Sequence, residues 1–420
     1  MVSKHICILG LGYIGLPTAA MLANRGYTVT GVDINQKAVD NIKKKRIDEK
    51  EPKLKDYVVK ALDSGKFEVQ TNPCPADIFI LAVPTPLDKI TKKADLSYVR
   101  KAAEAVAPYL KKGNLVILES TVPIGTLRNV VIPILEKSGL VGGKDFYAAH
   151  APERVLPTKI IEELINNDRI IGGINRESSE LAAEVYKSFV KGEICLTNDK
   201  TAEMVKLMEN VFRDVNIGLA NEFAKIAEES GVNIWEAIRL ANKHPRINIH
   251  IPGPGVGGHC IPLDGWFIIE NAPESELIRT ARKVNDSMPS FVAKLANEMC
   301  GKNATITILG VSYKGDVSDA RETPAKELIS VLSKQGHKIK IYDPHVLDFD
   351  PKLSSSLEEA ADGSDLLILV TDHKYFKNIE ISKIEKLMKN KRLLDTRNFL
   401  DHGAWEAKGF IVKVLGKKTE

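Results

Sequence analysis

The chain has 420 residues, 44% hydrophobic and 27% charged, with a formal net charge of +4. That length allows two or three domains, and so small and scattered a positive balance gives no footing for a nucleic-acid partner. No apolar run is long enough for a membrane span, and the cysteines at 7, 74, 195, 260 and 300 form no CxxC or Cys/His cluster, so neither a metal site nor a disulfide framework is expected.

The N-terminal segment runs straight into strand-like sequence without signal-peptide architecture, and a reducing cytoplasm is the expected location. HICILG (5–10) is an apolar run ending in glycine, the pattern of a buried parallel strand. LPTAAMLANRG (16–26) has helical spacing, and YTVTGVD (27–33) reads as a second strand, so a right-handed βαβ unit is expected. At its first turn Gly10, Gly12 and Gly15 spell G-x-G-x-x-G around Tyr13 and Ile14. Missing side chains let backbone approach a pyrophosphate, which then sits on the N–H groups of a helix start. Asp33 ends the second strand, where an acid accepts from a ribose 2′-hydroxyl and repels a 2′-phosphate. These residues predict NAD as cofactor.

ADIFILAVPTP (76–86), NLVILESTVP (114–123) and DFYAAHAPER (145–154) read as further strands of a mostly parallel, doubly wound sheet. Residues 199–233 then carry apolar positions at helical spacing without proline, with Asn198 or Asp199 as a cap and Gly231 as a stop. A helix of that length spans about 45 Å, enough to link two domains and to form a dimer face. ATITILGVSYK (304–314), HKIKIYDP (337–344), SDLLILVTD (364–372) and KRLLDTRN (391–398) predict a second sheet, with a helix over 323–336. The expected fold is therefore α/β: two Rossmann-like doubly wound domains joined by a long central helix. The expected divisions are 1–198 for NAD, 199–300 for dimerisation and a cysteine loop, and 301–420 for a second nucleotide, since no full G-x-G-x-x-G occurs there.

That loop, PGPGVGGHCIPLD (252–264), holds Cys260 beside His259 among glycines that allow close approach to a ligand. A buried filler cysteine would sit in an apolar run instead. NAD with an activated thiol suggests oxidation of an aldehyde through a thiohemiacetal and a thioester that water releases as an acid.

At this point the residues match a family. GLGYIGL, VPTP (83–86), ESTVPIGT (119–126), APER (151–154), EMVKLMEN (203–210), GGHCIP (257–262), YKGDVSDARETP (313–324) and DTRN (395–398) occur in order over nearly the whole chain, which resembles the UDP-glucose/GDP-mannose dehydrogenase family. The resemblance implies four-electron oxidation of a nucleotide sugar's C6 alcohol to a carboxylate with two NAD in succession. It implies Cys260 as covalent nucleophile, Lys206 and Asn210 as oxyanion donors one helical turn apart, and Asp264 as a group that positions or activates water. Glu153 would do base work and Thr121 would orient the water. For the cofactor it adds Thr85, Thr121, Thr126 and Arg321 to Gly10, Gly12, Tyr13, Ile14, Gly15 and Asp33. For the UDP-sugar it implies Arg154, Val155, Lys206, Asn210, Arg213, His244, Arg246, Gly257, Tyr313, Lys314 and Arg397. It also implies a dimer or dimer-based oligomer, with Arg246 reaching the other copy's site.

UDP-glucose enzymes of this family usually read GGxCFPKD at the thiol, whereas this chain reads GGHCIPLD. Its wording around the thiol is most similar to the branch acting on UDP-N-acetyl-D-mannosamine, whose product is a glycan precursor; UDP-N-acetylglucosamine 6-dehydrogenases share part of it. A catalytically dead nucleotide-sugar binder and a two-electron dehydrogenase of related architecture are the other classes. The number of NADH formed per sugar separates them.

Overall fold

The computed structural model describes residues 4–47, 51–88, 90–156, 158–258 and 260–418. Its contacts gather into two compact units, Met1–Glu209 with Trp266–Asn271, and Asn210–Gly265 with Ala272–Glu420.

In the first unit the strands are β1 (His5–Leu9), β2 (Thr28–Val32), β3 (Phe67–Gln70), β4 (Ile78–Leu81), β5 (Leu115–Leu118), β6 (Tyr147–His150), β7 (Arg169–Gly173) and β8 (Ile194–Asn198). They lie in the order β3-β2-β1-β4-β5-β6-β7-β8, whose first six positions follow the doubly wound arrangement of dinucleotide-binding folds. The continuous apolar run of β1 is explained by burial on both faces: Ile6 and Ile8 enter one core, Cys7 and Leu9 the other. The pairing is parallel except between β6 and β7. That reversal puts Arg169, the first residue of β7, at the same edge as Glu119, which follows β5, and His150, which ends β6. It is the carboxyl edge of the parallel strands, where ligands bind in such sheets.

The helix Asp199–Ser230 begins where the sequence places it. The Asn198 side chain accepts from the Thr201 N–H at 2.9 Å, and Gly231 ends it with φ +77°. The division between the two units falls within this helix, after Glu209. In the second unit Arg282 of the helix Glu276–Cys300, 1% exposed, pairs with Asp214, and Asn285 donates to the same carboxylate at 2.8 Å. The second sheet has β9 (Thr305–Leu309), β10 (Lys338–Tyr342), β11 (Leu366–Leu369), β12 (Arg392–Asp395) and β13 (Ile411–Val414). All are parallel, in the order β10-β9-β11-β12-β13, the other common doubly wound arrangement. Every strand named from sequence occurs, trimmed at its ends; β3, β7, β8 and β13 are additional. Among the described residues no helix is long and apolar enough to cross a membrane.

Candidate active site

The three glycines of the first turn do different work. Gly10 has φ +93°, and a Cβ there would meet the Ala82 carbonyl oxygen at 2.4 Å. A Cβ on Gly15 would lie 1.8 Å from the Gly10 carbonyl oxygen. These two close the turn onto the end of β4. Among the described residues nothing lies within 4 Å of a Cβ on Gly12, so none of them requires a glycine there. Ile14 precedes the helix Gly15–Asn24, whose first turn supplies a helix N-terminus. Asp33 accepts from the Leu11 N–H at 3.0 Å and the Asn35 N–H at 2.9 Å, so it shapes the glycine loop and keeps lone pairs for another donor. Tyr13 donates to Glu51 at 2.9 Å, and the Thr158 N–H donates to the same oxygen at 2.8 Å. Glu51 thereby ties the glycine loop to the loop after β6.

Thr85 and Thr126 hold loops. The Thr85 hydroxyl donates to the Thr121 carbonyl at 2.7 Å, and the Thr126 hydroxyl to the Pro123 carbonyl at 2.6 Å. The same turn is gripped by Glu203, fully buried on the long helix, which accepts from the N–H groups of Gly125 and Leu127. Burial pushes its carboxyl up to about 7. Sequence reasoning passed over Glu203 inside EMVKLMEN.

One turn further along that helix, Lys206 is 7% exposed, and its Nζ lies 3.8 Å from Glu153. Glu153 also accepts from the Val155 N–H at 2.8 Å. Arg154, expected at the substrate, pairs with Glu209 at 2.6 Å and donates to the Asp168 carbonyl at 3.0 Å, so it also braces the 151–156 loop. Beside Glu153 lies a buried group absent from the sequence reading. Glu119 accepts from Arg169, whose guanidinium stacks 3.8 Å from the centre of the Tyr186 ring. His150 completes it, fully buried. Its only sequence signals are charged or polar residues closing apolar strands, in LVILE and YAAH.

In the second unit, Cys260, which is in no disulfide, stands immediately before the helix Ile261–Ile269. Its carbonyl accepts from the Asp264 N–H at 2.9 Å, and a helix N-terminus favours the thiolate. His259 lies outside the described residues. Asp264, 3% exposed, accepts from the Asn210 side chain at 2.6 Å. The loop glycines have a nearer explanation than a ligand. A Cβ on Gly257 would meet Tyr313 Cβ at 2.7 Å and Pro324 Cδ at 2.9 Å, and one on Gly253 would meet an Arg397 guanidinium nitrogen at 2.6 Å. The thiol loop is thus packed backbone-first against its own unit. Arg397, itself anchored on the Val370 carbonyl at 3.1 Å, supports that loop. Arg321 is paired with Asp319 at 2.6 Å. That bond raises it above the ordinary arginine value, and the Cys260 sulfur adds to the effect, so guanidinium and thiol feel each other. Arg213, His244, Arg246 and Lys314 are exposed.

Comparison with known proteins then decides the family. Models of the UDP-glucose/GDP-mannose dehydrogenase family match residues 4–190 (NAD binding domain), 200–287 (central domain) and 307–402 (UDP binding domain). The chain belongs to the UDP-glucose/GDP-mannose dehydrogenase family. It is 51% identical to the UDP-N-acetyl-D-mannosamine dehydrogenase of Methanocaldococcus jannaschii, over 99% of this chain and 97% of that one. A solved UDP-D-ManNAc dehydrogenase from Pyrococcus horikoshii matches with a TM-score of 0.90 at 43% identity, covering 98% of this chain and 99% of that one. The NDP-N-acetyl-D-galactosaminuronic acid dehydrogenase of Ralstonia nicotianae is 44% identical over 96% of this chain and 97% of its own. As a UDP-glucose/GDP-mannose dehydrogenase family member the chain is an NAD-dependent nucleotide-sugar dehydrogenase. The first unit fits that cofactor: an unobstructed Gly12, a helix N-terminus and Asp33 stand at one sheet edge.

Proposed function

We propose that this enzyme oxidises the C6 alcohol of UDP-N-acetyl-D-mannosamine to the carboxylate of UDP-N-acetyl-D-mannosaminuronate, a four-electron reaction that supplies a precursor for glycan assembly in the cytoplasm. NAD, when bound, accepts a hydride in each of two oxidations. The chain's own groups do the rest. Glu153 receives a proton. Cys260 adds to the C6 aldehyde, forming a C–S bond, and the second oxidation leaves a thioester. Lys206 and Asn210 donate to the oxyanion, which preorganised donors stabilise by about 3 kcal/mol each. Water then forms a C–O bond as the C–S bond breaks, releasing the acid and returning the thiol, with Thr121 and Asp264 orienting that water.

The observation that carries the reading is the Asn210–Asp264 bond of 2.6 Å. It joins the helix Asp199–Ser230 to the helix Ile261–Ile269, with both partners buried. A binding protein has no need to bury an amide against a carboxylate there. The choice of sugar rests on the similarity to the mannosamine enzymes. His244 and Arg246 upstream of the thiol loop are proposed to meet the acetamide, with Arg213, Tyr313 and Lys314 toward the diphosphate. The decisive experiment incubates the enzyme with NAD and a panel of UDP-sugars, counts NADH per sugar and identifies the acid by mass spectrometry and NMR. Two NADH with the mannosamine sugar are expected; one or none, or equal turnover of UDP-glucose, overturns the proposal.

We also propose that the divisions 1–198, 199–300 and 301–420 are the functional ones, and that the enzyme is a homodimer. On the long helix Met208, Phe212, Leu219 and Ile226 are all exposed, at 53%, 61%, 43% and 53%. Their spacing puts them on one stripe, the kind of surface that a second copy covers. With Arg246 acting across the dimer, inactive Arg246→Ala and Cys260→Ala chains should regain activity when mixed, because a mixed dimer holds one intact site.

A further inference from the structure

His150 ends β6 with no exposed surface, and neither of its ring nitrogens has a hydrogen-bond partner among the described residues. The Leu118 carbonyl acts on the ring, but without hydrogen-bond geometry. A buried histidine in that state is costly where a leucine would fill the space without penalty. Burial, with Lys206 and Arg169 nearby, pushes its basicity down to about 3, so the ring is neutral and offers one donor and one acceptor. Each of those cations has its own acid: Arg169 pairs with Glu119, and Lys206 lies 3.8 Å from Glu153.

Lys206 has the complementary deficit. Its ammonium carries three donors and is 7% exposed, yet its ion pair with Glu153 is 3.8 Å long, too far for a hydrogen bond. The Arg169 Nε and one Glu119 oxygen, also buried, lack partners among the described residues. These unmet donors and acceptors cluster at one sheet edge, the setting in which proteins hold internal water.

We propose that His150 is a positioning residue for Lys206: an internal water accepts from the Lys206 ammonium and donates to a His150 ring nitrogen, and this bridge aims the ammonium at the oxyanion. The proposal rests on the role given to Lys206 above. A neutral imidazole suits the task, because a charged one would repel the ammonium that it has to steer.

The test compares His150→Leu and His150→Gln in the full-length enzyme. His150→Leu should lower kcat about 10- to 100-fold with the KM for NAD and for the UDP-sugar within about twofold, the pattern of an interaction made in the transition state. His150→Gln, which keeps a donor and an acceptor, should recover most of that loss. In a Lys206→Ala background His150→Leu should cost nothing more, since one residue acts through the other. Losses that multiply in the double variant, or wild-type kcat in His150→Leu, would overturn the proposal. If Lys206→Ala itself leaves kcat unchanged, the catalytic reading of Lys206 fails first. Should His150→Leu not fold, His150→Gln and a crystal structure decide: a water within about 3 Å of both Lys206 Nζ and a His150 nitrogen is expected, and direct contact between them refutes the bridge.

Discussion

Gly12→Ala tests whether Gly12 serves the cofactor while Gly10 and Gly15 serve the fold. A Cβ at Gly12 finds nothing within 4 Å among the described residues, and its φ lies outside the left-handed region, so alanine adopts the backbone without strain. Folding stability should therefore change by no more than about 0.5 kcal/mol. The methyl group does stand off a pyrophosphate that must come up to bare backbone. Losing one charge-assisted N–H bond costs about 1.5–3 kcal/mol, which at 1.4 kcal/mol per decade raises the dissociation constant for NAD roughly 10- to 100-fold. Gly15→Ala is the control. Its Cβ would lie 1.8 Å from the Gly10 carbonyl oxygen, and that atom is main chain and cannot swing aside. Overpacking there should cost about 3 kcal/mol or abolish folding. The assays are calorimetric unfolding of both variants and titration of each folded variant with NAD. Equal destabilisation by the two substitutions, or unchanged NAD affinity in Gly12→Ala, would refute the reasoning.

Cys260→Ser should release no acid at a useful rate while still binding the UDP-sugar, because a hydroxyl is a poor nucleophile without an adjacent base; near wild-type acid formation, read by mass spectrometry, would contradict the thioester route. Asp33→Asn should narrow the preference for NAD over NADP about tenfold by removing the charge that repels a 2′-phosphate, and a wild-type enzyme preferring NADP would sink that account. Glu203 ionises at about 7 in the fold against an ordinary 4.5. A raised acid favours the folded state while protonated, so its contribution is whole below pH 4.5 and is lost as pH rises through 7, by about 3 kcal/mol. Glu203→Gln should flatten that slope of unfolding free energy between pH 4.5 and 7, and parallel wild-type and variant curves would count against a buried, raised carboxyl.

What was legible in the sequence is what depends on neighbours along the chain. The long helix could be bounded because Asn198 and Gly231 act on adjacent turns. The glycine turn could be placed because strand, turn and helix follow one another within thirty residues. What depends on packing was not legible. Glu203 and Gly125 are 78 positions apart, and nothing local marks that glutamate as a clamp. Likewise, β7 runs antiparallel to β6, and only that reversal brings Arg169 to Glu119. The thiol loop is the sharpest case. Its glycines imply a close approach, but the sequence cannot say to what. In the fold, Tyr313, Pro324 and Arg397 occupy the space that side chains at Gly253 and Gly257 would need.

The second sheet shows why an acid at the end of a strand does not make a dinucleotide site. Gly310 turns with φ +86°, and its N–H donates to the Tyr342 carbonyl at 2.8 Å, as the Gly10 N–H does to the Val32 carbonyl. Asp343 follows β10 as Asp33 follows β2. The surroundings of the two carboxylates differ. One Asp343 oxygen accepts from the Val311 and Ser312 N–H groups and lies 3.0 Å from His373 Nε2; the other accepts from the His345 and Val346 N–H groups. A carboxylate offers about four lone-pair sites, so Asp343 is saturated within its own fold and cannot receive a ribose hydroxyl. His373 is fixed in turn, because its Nδ1 accepts from the Asp316 N–H at 2.9 Å, so both of its ring nitrogens are engaged. Among the described residues Asp33 receives the Leu11 and Asn35 N–H groups. The same topology thus leaves one acid with lone pairs to offer and the other with none, through the number of donors that each already holds.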